Sequence, residues 1–412
     1  MNRRGLAFVL ALLVIVVSVV VLSSVGAAVR AKVVRESMQN ESASAEDAAR
    51  AGIERALAAL ANQSVTLTTP NDDWYTLSES GGVKFTVGNA SFRVQIVDAC
   101  SRVNVNTAPA PWLVTMGLTE DQADAVVDWR SSGSTPSAQG AKDEYYNALS
   151  VPYNTKLRRI DRFDELLLVR GIDAKTLYEP PTNTTAAPLA NGSTSDQPTI
   201  YDLSTIENRA TVQRPDGSAR QNVNTATQQQ LQAIGLRAQI AAAIIQRRNT
   251  VSTYANVGQV FQVAGITNAD AKVILDNLTT SNAPTAEGKI DLNTAEEAVL
   301  NTIPNMPSGV AGAIVARGGT FNSLGELSDV AGVTPTTLRD LADTFTVSSQ
   351  SFIVRVVGTA GQSKVALEAT VMINNGQPQV TKISRPWFTD AEQRWGWLQE
   401  TSSTTVLLEA AR

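Results

Sequence analysis

Residues 6–29 read LAFVLALLVIVVSVVVLSSVGAAV, and they come directly after the five residues MNRRG. The stretch carries no charge, and its only polar side chains are Ser18, Ser23 and Ser24. As a helix of about 24 residues it spans roughly 36 Å, enough to cross a hydrocarbon core of about 30 Å with some tilt. Residues 30–62 decide the fold. They contain one helix breaker, Gly52, and are rich in Ala, Glu, Arg and Leu, all good helix formers. Ala48, Ala49, Gly52, Ile53, Ala56, Leu57, Ala59 and Leu60 recur at three- and four-residue spacing, while Glu46, Asp47, Arg50, Glu54 and Arg55 fill the other face. That pattern is an amphipathic helix. The apolar span therefore runs on into one helix over 6–62, roughly 85 Å long, with its transmembrane part at 6–29. A plain anchor has no need of such a rod. The second half predicts a helix that packs beneath its own folded body.

The chain has 412 residues, 43% hydrophobic and 18% charged, a globular balance with room for two or three domains. Its net charge of −5 and pI of about 5.1 give nucleic acid no electrostatic attraction. There is no histidine, which removes imidazole acid–base chemistry, His-activated nucleophiles and the commonest zinc ligand. The single cysteine, Cys100, excludes an internal disulfide and a cysteine-ligated cluster. It reads as a small buried hydrophobe near a strand end. No set of residues pairs a near-neutral base with a nucleophile, so the chain does not read as an enzyme, and no cofactor is expected.

Beyond the helix, residues 82–88 and 91–97 alternate apolar and polar around Gly88-Asn89, which marks a β-hairpin. Residues 351–357, 363–374 and 379–384 read as three more strands, with turns at 358–362 and 374–376. The two groups predict one antiparallel sheet in two parts, 74–101 and 346–385, split by a long insertion. A tail at 386–412 carries Trp387, Phe388, Trp395 and Trp397, expected to pack against the body.

The insertion repeats itself. Val103-Asn-Val-Asn-Thr-Ala108, Asn222-Val-Asn-Thr-Ala226 and Ile290-Asp-Leu-Asn-Thr-Ala295 each precede a helix. A second helix ends in arginine at Arg130, Arg247 and Arg317. A third short helix follows at Phe163, Tyr254 and Phe321, and each block closes on Gly171-Ile-Asp173, Gly265-Ile-Thr267 or Gly332-Val-Thr334. The spacing from Asn to closing Gly is about 65, 41 and 39 residues, the first lengthened by an insert at 131–159. The units are placed at 102–178, 221–280 and 281–345. Between the first two, residues 179–220 are rich in Pro, Thr, Asn and Ser and read as a linker with a short strand at 198–203. The Asn or Thr of each Asn-Thr-Ala is expected to cap the next helix. Each closing Gly is expected to turn left-handed, with Asp173, Thr267 and Thr334 as caps.

The short basic leader 1–5, ending in Gly5 and running straight into the apolar segment, resembles a prepilin signal. A simple anchor and a secretory signal with a cleavage site near Val25-Gly26-Ala27 are the competing readings. The repeats resemble helix-hairpin-helix units. Asp128-Trp129-Arg130, Gly140-Ala-Lys-Asp-Glu-Tyr-Tyr146, Pro152-Tyr-Asn154 and Phe163-Asp-Glu-Leu-Leu-Leu-Val-Arg-Gly171 resemble the K-type minor pseudopilins of type II secretion systems. That resemblance covers nearly the whole chain. It implies an α+β fold: a pilin-like long N-terminal helix plus an antiparallel β-sheet, interrupted by a large α-helical insertion of three helix-hairpin-helix-like repeats. It implies cleavage after Gly5 by a prepilin peptidase, a methylated Leu6, and a single-pass inner-membrane protein with a cytoplasmic N-terminus and a periplasmic body. The implied partners are other minor pseudopilins, the major pseudopilin and the inner-membrane assembly platform. Most pilins carry Glu at the fifth mature position. Here that position is Leu10, which suits a subunit at a filament tip that starts or caps assembly.

The resemblance also raises calcium, for which Asp128, Asp143 and Glu144 are the candidate oxygen ligands. Ser131, Ser132 and Lys142 stand where that family carries acids, and no metal site is claimed. A minor pilin of a type IV pilus is the nearest alternative. A membrane-anchored DNA receptor is the other. The hairpins lack the Gly-x-Gly that lets backbone N–H groups approach phosphate, and no nucleic-acid partner is expected.

Overall fold

A computed structural model describes residues 3–77, 81–180, 197–397 and 405–407. Helix α1 runs unbroken over Arg3–Leu60, two residues short of the expected end. Among the described residues it is the one helix long and apolar enough to cross a membrane. Its described side chains, Phe8 and those from Leu12 onward, stay largely exposed as far as residue 44, and burial begins at Ala45. From there Ala45, Ala48, Ala49, Ile53, Ala56 and Leu60 are all buried, the single apolar stripe that a 3.6-residue period predicts.

That stripe lies on one antiparallel sheet made from both parts of the chain. Its strands are β1 (Lys84–Val87), β2 (Ala90–Asp98), β3 (Ser351–Ala360), β4 (Ser363–Asn374), β5 (Gln377–Ser384) and β6 (Thr405–Leu407). The order is β5-β4-β3-β2-β1-β6. β6 alone runs parallel to its neighbour, β1. β2 and β3 are central neighbours despite the insertion between them, with Asp98 opposite Phe352 and Ser91 opposite Thr359. Alternate residues face α1: Phe92, Val94 and Ile96 from β2, Phe352, Val354 and Val356 from β3, and Leu367, Ala369 and Val371 from β4. The period of two thus sorts one face to the helix. The opposite face carries Arg93, Gln95, Arg355 and Val357, also buried. They lie under the tail, where Trp395 and Trp397 close over the sheet.

The insertion leaves the sheet at the end of β2 and returns at the start of β3. It forms three helical units around one continuous core. Each unit opens and closes on a two-residue parallel bridge: Val103–Asn104 with Ser204–Thr205, Gln221–Asn222 with Leu278–Thr279, and Ile290–Asp291 with Phe345–Thr346. Residues 200–203 form a short helix capped by Thr199, not the expected strand. The strand comes just after it, and Ala210–Thr211 pairs with Thr285–Ala286. The last part of the expected linker is therefore structured. Residues 181–196 lie outside the described residues.

Candidate functional site

The insertion sits at the end of the sheet farthest from the membrane helix. At one end of the sheet, Glu41 of α1 accepts a hydrogen bond from the N–H of Gln362 in the β3–β4 turn. At the other, Trp74, just beyond α1, packs on Phe352 with ring centroids 5.1 Å apart, and Asn293 of the third unit donates to the Thr68 carbonyl. α1 enters the body from the Glu41 side, so the insertion lies at the membrane-distal end.

Within each unit the closing hairpins follow the expected chemistry. Gly171, Gly265 and Gly332 have φ of 75°, 81° and 85°, backbone that a side chain strains. Asp173, Thr267 and Thr334 then cap the helices Ala174–Tyr178, Asn268–Asn277 and Pro335–Leu341. Asp173 and Asp270 put carboxylates at those helix N-termini, where a phosphate would otherwise dock. The Asp173 carboxyl is held below its usual range by the Thr176 N–H and hydroxyl. Burial opposes ionisation of Asp270, yet hydrogen bonds from Arg237 and Thr267 bring it down to about 2. These two termini already hold a carboxylate, which repels a phosphate.

The Asn-Thr-Ala words do something the sequence did not reveal. The N-cap positions of the following helices fall at Pro109, Thr227 and Glu296, of which only the Thr227 side chain makes a capping bond, and not at the Asn or Thr. Each asparagine is instead a two-point clamp on a distant segment of its own unit. Asn106 accepts from the Ile160 N–H at 2.8 Å and donates to its carbonyl at 2.9 Å. Asn224 holds Tyr254 in the same way, at 2.7 and 3.0 Å, and Asn293 holds Phe321, at 2.7 and 3.0 Å. The amide completes a backbone ladder that the irregular chain lacks there. The expected register of the arginines also shifts in the second unit. Arg130, Arg248 and Arg317 each lie 24 residues after their asparagine, so Arg248 is the true counterpart and Arg247 is not. Arg130 donates to the Val105 and Ala108 carbonyls, and Arg248 to those of Val223 and Ala226. Arg317 instead stacks on Phe321, 4.2 Å from the ring centroid.

The second and third units interlock reciprocally. Asp276, on the last helix of the second unit, accepts from the Gly325 N–H and the Ser323 hydroxyl at the start of the third unit's 3-10 helix, Leu324–Asp329. Asp343, just past the last helix of the third unit, accepts from the Val257 and Gly258 N–H groups of the second unit's 3-10 helix, Val257–Gln262. A Cβ on Gly258 would lie 2.1 Å from the Arg339 carbonyl, and one on Gly325 2.7 Å from the Lys272 carbonyl. Only glycine lets these elements approach so closely. Neither aspartate stands out in the sequence, because each binds across two units.

The proposed calcium ligands are drawn into structural roles. Asp128 is buried and accepts from the Ser137 N–H and hydroxyl. Asp143 accepts from the Thr155 N–H at 2.7 Å, which holds its carboxyl below the usual range. Glu144 is exposed. Lys142 is 5% exposed, and its ammonium donates to the Asp128 and Ser131 carbonyls. Burial lowers its pKa, and Asp128 and Asp143 oppose that shift. The lysine thus sets its positive charge against the backbone beside Asp128, and among the described residues no three carboxylates come together as a metal site. Gly5, Leu6 and Leu10 lie on the first turns of α1, and their side chains lie outside the described residues.

The tail joins the first unit to the sheet through aromatic and guanidinium contacts. Trp395 donates to the Tyr201 hydroxyl at 3.1 Å and Trp397 to Gln95 at 2.9 Å. Arg93 lies 5.1 Å from the Trp397 ring, Arg355 5.4 Å from the Tyr201 ring and 5.5 Å from the Trp395 ring. Trp387 stacks on Tyr178 and is 58% exposed.

A long N-terminal helix laid on an antiparallel sheet, with a helical domain inserted between its two central strands, defines a pilin-like protein. Residues 112–181 match the family described as "Type II secretion system (T2SS), protein K", and residues 285–346 match the helix-hairpin-helix motif. A curated relative, the type II secretion system protein K of Pectobacterium carotovorum subsp. carotovorum, is 34% identical over 116 residues. That match covers 23% of this chain and 35% of the relative, so it spans about a third of the relative's length. The solved GspK-GspI-GspJ complex from the enterotoxigenic Escherichia coli type 2 secretion system contains a chain of the same fold. Its TM-score is 0.50 at 13% identity, covering 85% of this chain and 99% of that one. Family match, relative and fold together support a K-type minor pseudopilin.

Proposed function

We propose that this protein sits at the tip of a type II secretion pseudopilus and initiates or caps its assembly for protein secretion across the outer membrane. The observation that carries the reading is the place of the insertion. A bulky domain at the membrane-distal end of the sheet stands where a further subunit would stack above. The exposed stretch of α1 between the bilayer and Ala45 offers Val33, Val34 and Met38 to partner helices. By analogy with the E. coli complex, two other minor pseudopilins are the first partners, followed by the major pseudopilin and the inner-membrane assembly platform. The protein crosses the inner membrane once, with its N-terminus cytoplasmic, after a prepilin peptidase cuts between Gly5 and Leu6. At Leu10 it lacks the carboxylate that would neutralise the N-terminus of a subunit above, and a buried charge there would be costly without one. Its role is mechanical and associative.

The test is N-terminal sequencing of protein purified from membranes, with co-purified proteins identified in the same sample. A mature chain beginning at methylated Leu6, recovered with other prepilin-type proteins, is the expected result. An intact Met1 or a start near Ala28 removes the basis of the reading.

A further inference from the structure

The three units place one equivalent side chain at their opening bridge: Asn104, Asn222 and Asp291. In each, Oδ1 accepts the N–H two residues on, from Asn106 at 2.8 Å, Asn224 at 2.9 Å and Asn293 at 2.8 Å. The second terminal atom is where they differ. Asn104 Nδ2 donates to Asn208 and Asn222 Nδ2 to Asn282, at 3.1 and 2.8 Å. Asp291 has an oxygen in that place, Oδ2, which is buried and has no hydrogen-bond partner. The residue itself is 0% exposed. The bridge strand at 290–291 packs against the turn 99–101 that follows β2, which brings Asp98, 2% exposed, close enough to act on Asp291 as a neighbouring charge. Asp98 accepts from the Cys100 N–H and the Thr294 hydroxyl. The charges acting on Asp291 are Asp98 and Asp72, both negative. Asp72 is itself held by the Thr69 N–H and hydroxyl and by Trp74 Nε1. Cys100 is the other titratable group in contact, and the Ser349 hydroxyl completes the surroundings of Asp98.

We propose that the Asp98–Asp291 pair holds one proton at neutral pH, and that this proton is a pH-sensitive fastening between the pilin sheet and the third unit. A protonated Asp291 is an isostere of the asparagine used in the other two units, with an O–H where they have an N–H. Two buried carboxylates without a cation cannot both ionise cheaply. Burial pushes Asp98 up to about 6. Burial, then repulsion from Asp98, pushes Asp291 well above the carboxylate range. The folded protein therefore binds more protons than the unfolded chain, whose aspartates titrate near about 3.9. The fastening is complete below that pH and is lost as pH rises through about 6 for Asp98 and higher for Asp291.

Cys100 is a natural reporter, being the sole cysteine, fully buried and bonded through its N–H to Asp98. The full chain in detergent micelles is melted between pH 5 and 8, and its thiol is labelled with an aromatic disulfide reagent at each pH. For the wild type we expect a melting temperature that falls with rising pH and labelling faster than thiol ionisation alone explains. Asp291→Asn should flatten the melting profile and label several-fold more slowly than wild type at pH 8. Asp98→Asn, a second variant should the first fail to fold, should flatten the same profile. A wild-type profile already flat, or variants that are destabilised equally at every pH with the slope intact, overturns the proposal. So does a wild-type slope that calcium or magnesium abolishes and a chelator restores, which would make the site a cation site.

Discussion

Gly358 on β3 lies directly against the backbone of the long helix, and one methyl group there tests how the rod is held. A Cβ on Gly358 would lie 2.0 Å from the Ala45 carbonyl oxygen, 2.6 Å from the Ala49 nitrogen and 3.0 Å from the Ala49 Cβ. Comfortable separation is about 3.5 Å, so the helix must retreat by roughly 1.5 Å. The obstacles are backbone atoms, which no rotamer change can move aside. Ala45, Ala48 and Ala49 would lose their seat, and these three side chains begin the buried stripe of α1. Overpacking of this kind costs about 1–3 kcal/mol, and the backbone obstacle sets Gly358→Ala at the upper end. Gly52→Ala is the control. Its Cβ would meet the side chains of Val356 at 2.5 Å and Phe92 at 2.9 Å, which can adjust in part. The expected order of stability is wild type, then Gly52→Ala, then Gly358→Ala. At about 2–4 °C per kcal/mol for a body of a couple of hundred residues, Gly358→Ala should lower the melting temperature by several degrees. The assay is thermal unfolding of the full chain in detergent at one scan rate, since unfolding of such a protein is scan-dependent. A Gly358→Ala protein that melts with the wild type, or an inverted order, refutes the packing argument. Ala49→Gly combined with Gly358→Ala should rescue little, because the closest contacts are to backbone.

Three further substitutions probe the insertion. Asn224→Ala leaves the N–H and carbonyl of buried Tyr254 without their clamp, at about 1–3 kcal/mol for each orphaned group. Chemical denaturation should show a loss well above that of Thr225→Ala, whose hydroxyl makes one long bond of 3.4 Å. Lys142→Met removes a buried ammonium from two carbonyls and should destabilise the first unit, while calcium leaves the wild-type melting temperature unchanged. Arg237→Ala should lower stability at neutral pH and flatten its dependence on acid. Asp270, depressed to about 2, contributes stability that is present above about pH 4 and lost as pH falls through its folded value. Without Arg237 the folded value moves up toward the unfolded one, so the contribution shrinks, and the stability gap to wild type, largest above about pH 4, closes as pH falls, which denaturation at a series of pH values will show.

What was legible in the sequence was local. The left-handed glycines and their caps were readable because Gly171, Gly265 and Gly332 act within four residues of Asp173, Thr267 and Thr334. The strands were readable because Ser351–Ala360 and its neighbours alternate with a period of two. Their union in one sheet is legible only from the order of parts: two strand groups flank one long insertion and follow a long helix, as the pilin plan requires. The clamps were hidden by distance: Asn106 reaches Ile160, and nothing near Asn106 signals it. A capping role was the reasonable local reading, but the two-residue bridge carries the asparagine away from the helix start, and Pro109, Thr227 and Glu296 fall there instead. Arg247 and Arg248 are adjacent, and nothing in the sequence tells them apart without the facing carbonyls of Val223 and Ala226. The short helix at Ile200–Leu203 was hidden by β-prone residues, whose preference the Thr199–Asp202 capping box overrides.

The duplication of units explains how the second and third units join. The second and third units share the pattern Gly258 and Gly325 at the second position of the 3-10 helix, and Asp276 and Asp343 eleven residues past the closing glycine. These two pairs close on each other, so neither unit has an unsatisfied helix start facing its twin. The first unit breaks the pattern, with Asp164 in the glycine's place. Its carboxylate is held by Arg162, and burial with Arg162 and Lys382 as counter-charges sets its ionisation. Lys382 belongs to the edge strand β5 and donates to the Asp161 carbonyl. The first unit therefore turns toward the sheet the edge that its sisters turn toward each other. A side chain at position 164 forbids the close approach used by the pair and provides the charge that the sheet edge meets. On this view the third repeat is a partner for the second, and the first, with the tail over Tyr201, is a further fastening to the pilin body beside the third unit's own bonds to Thr68 and Asp98.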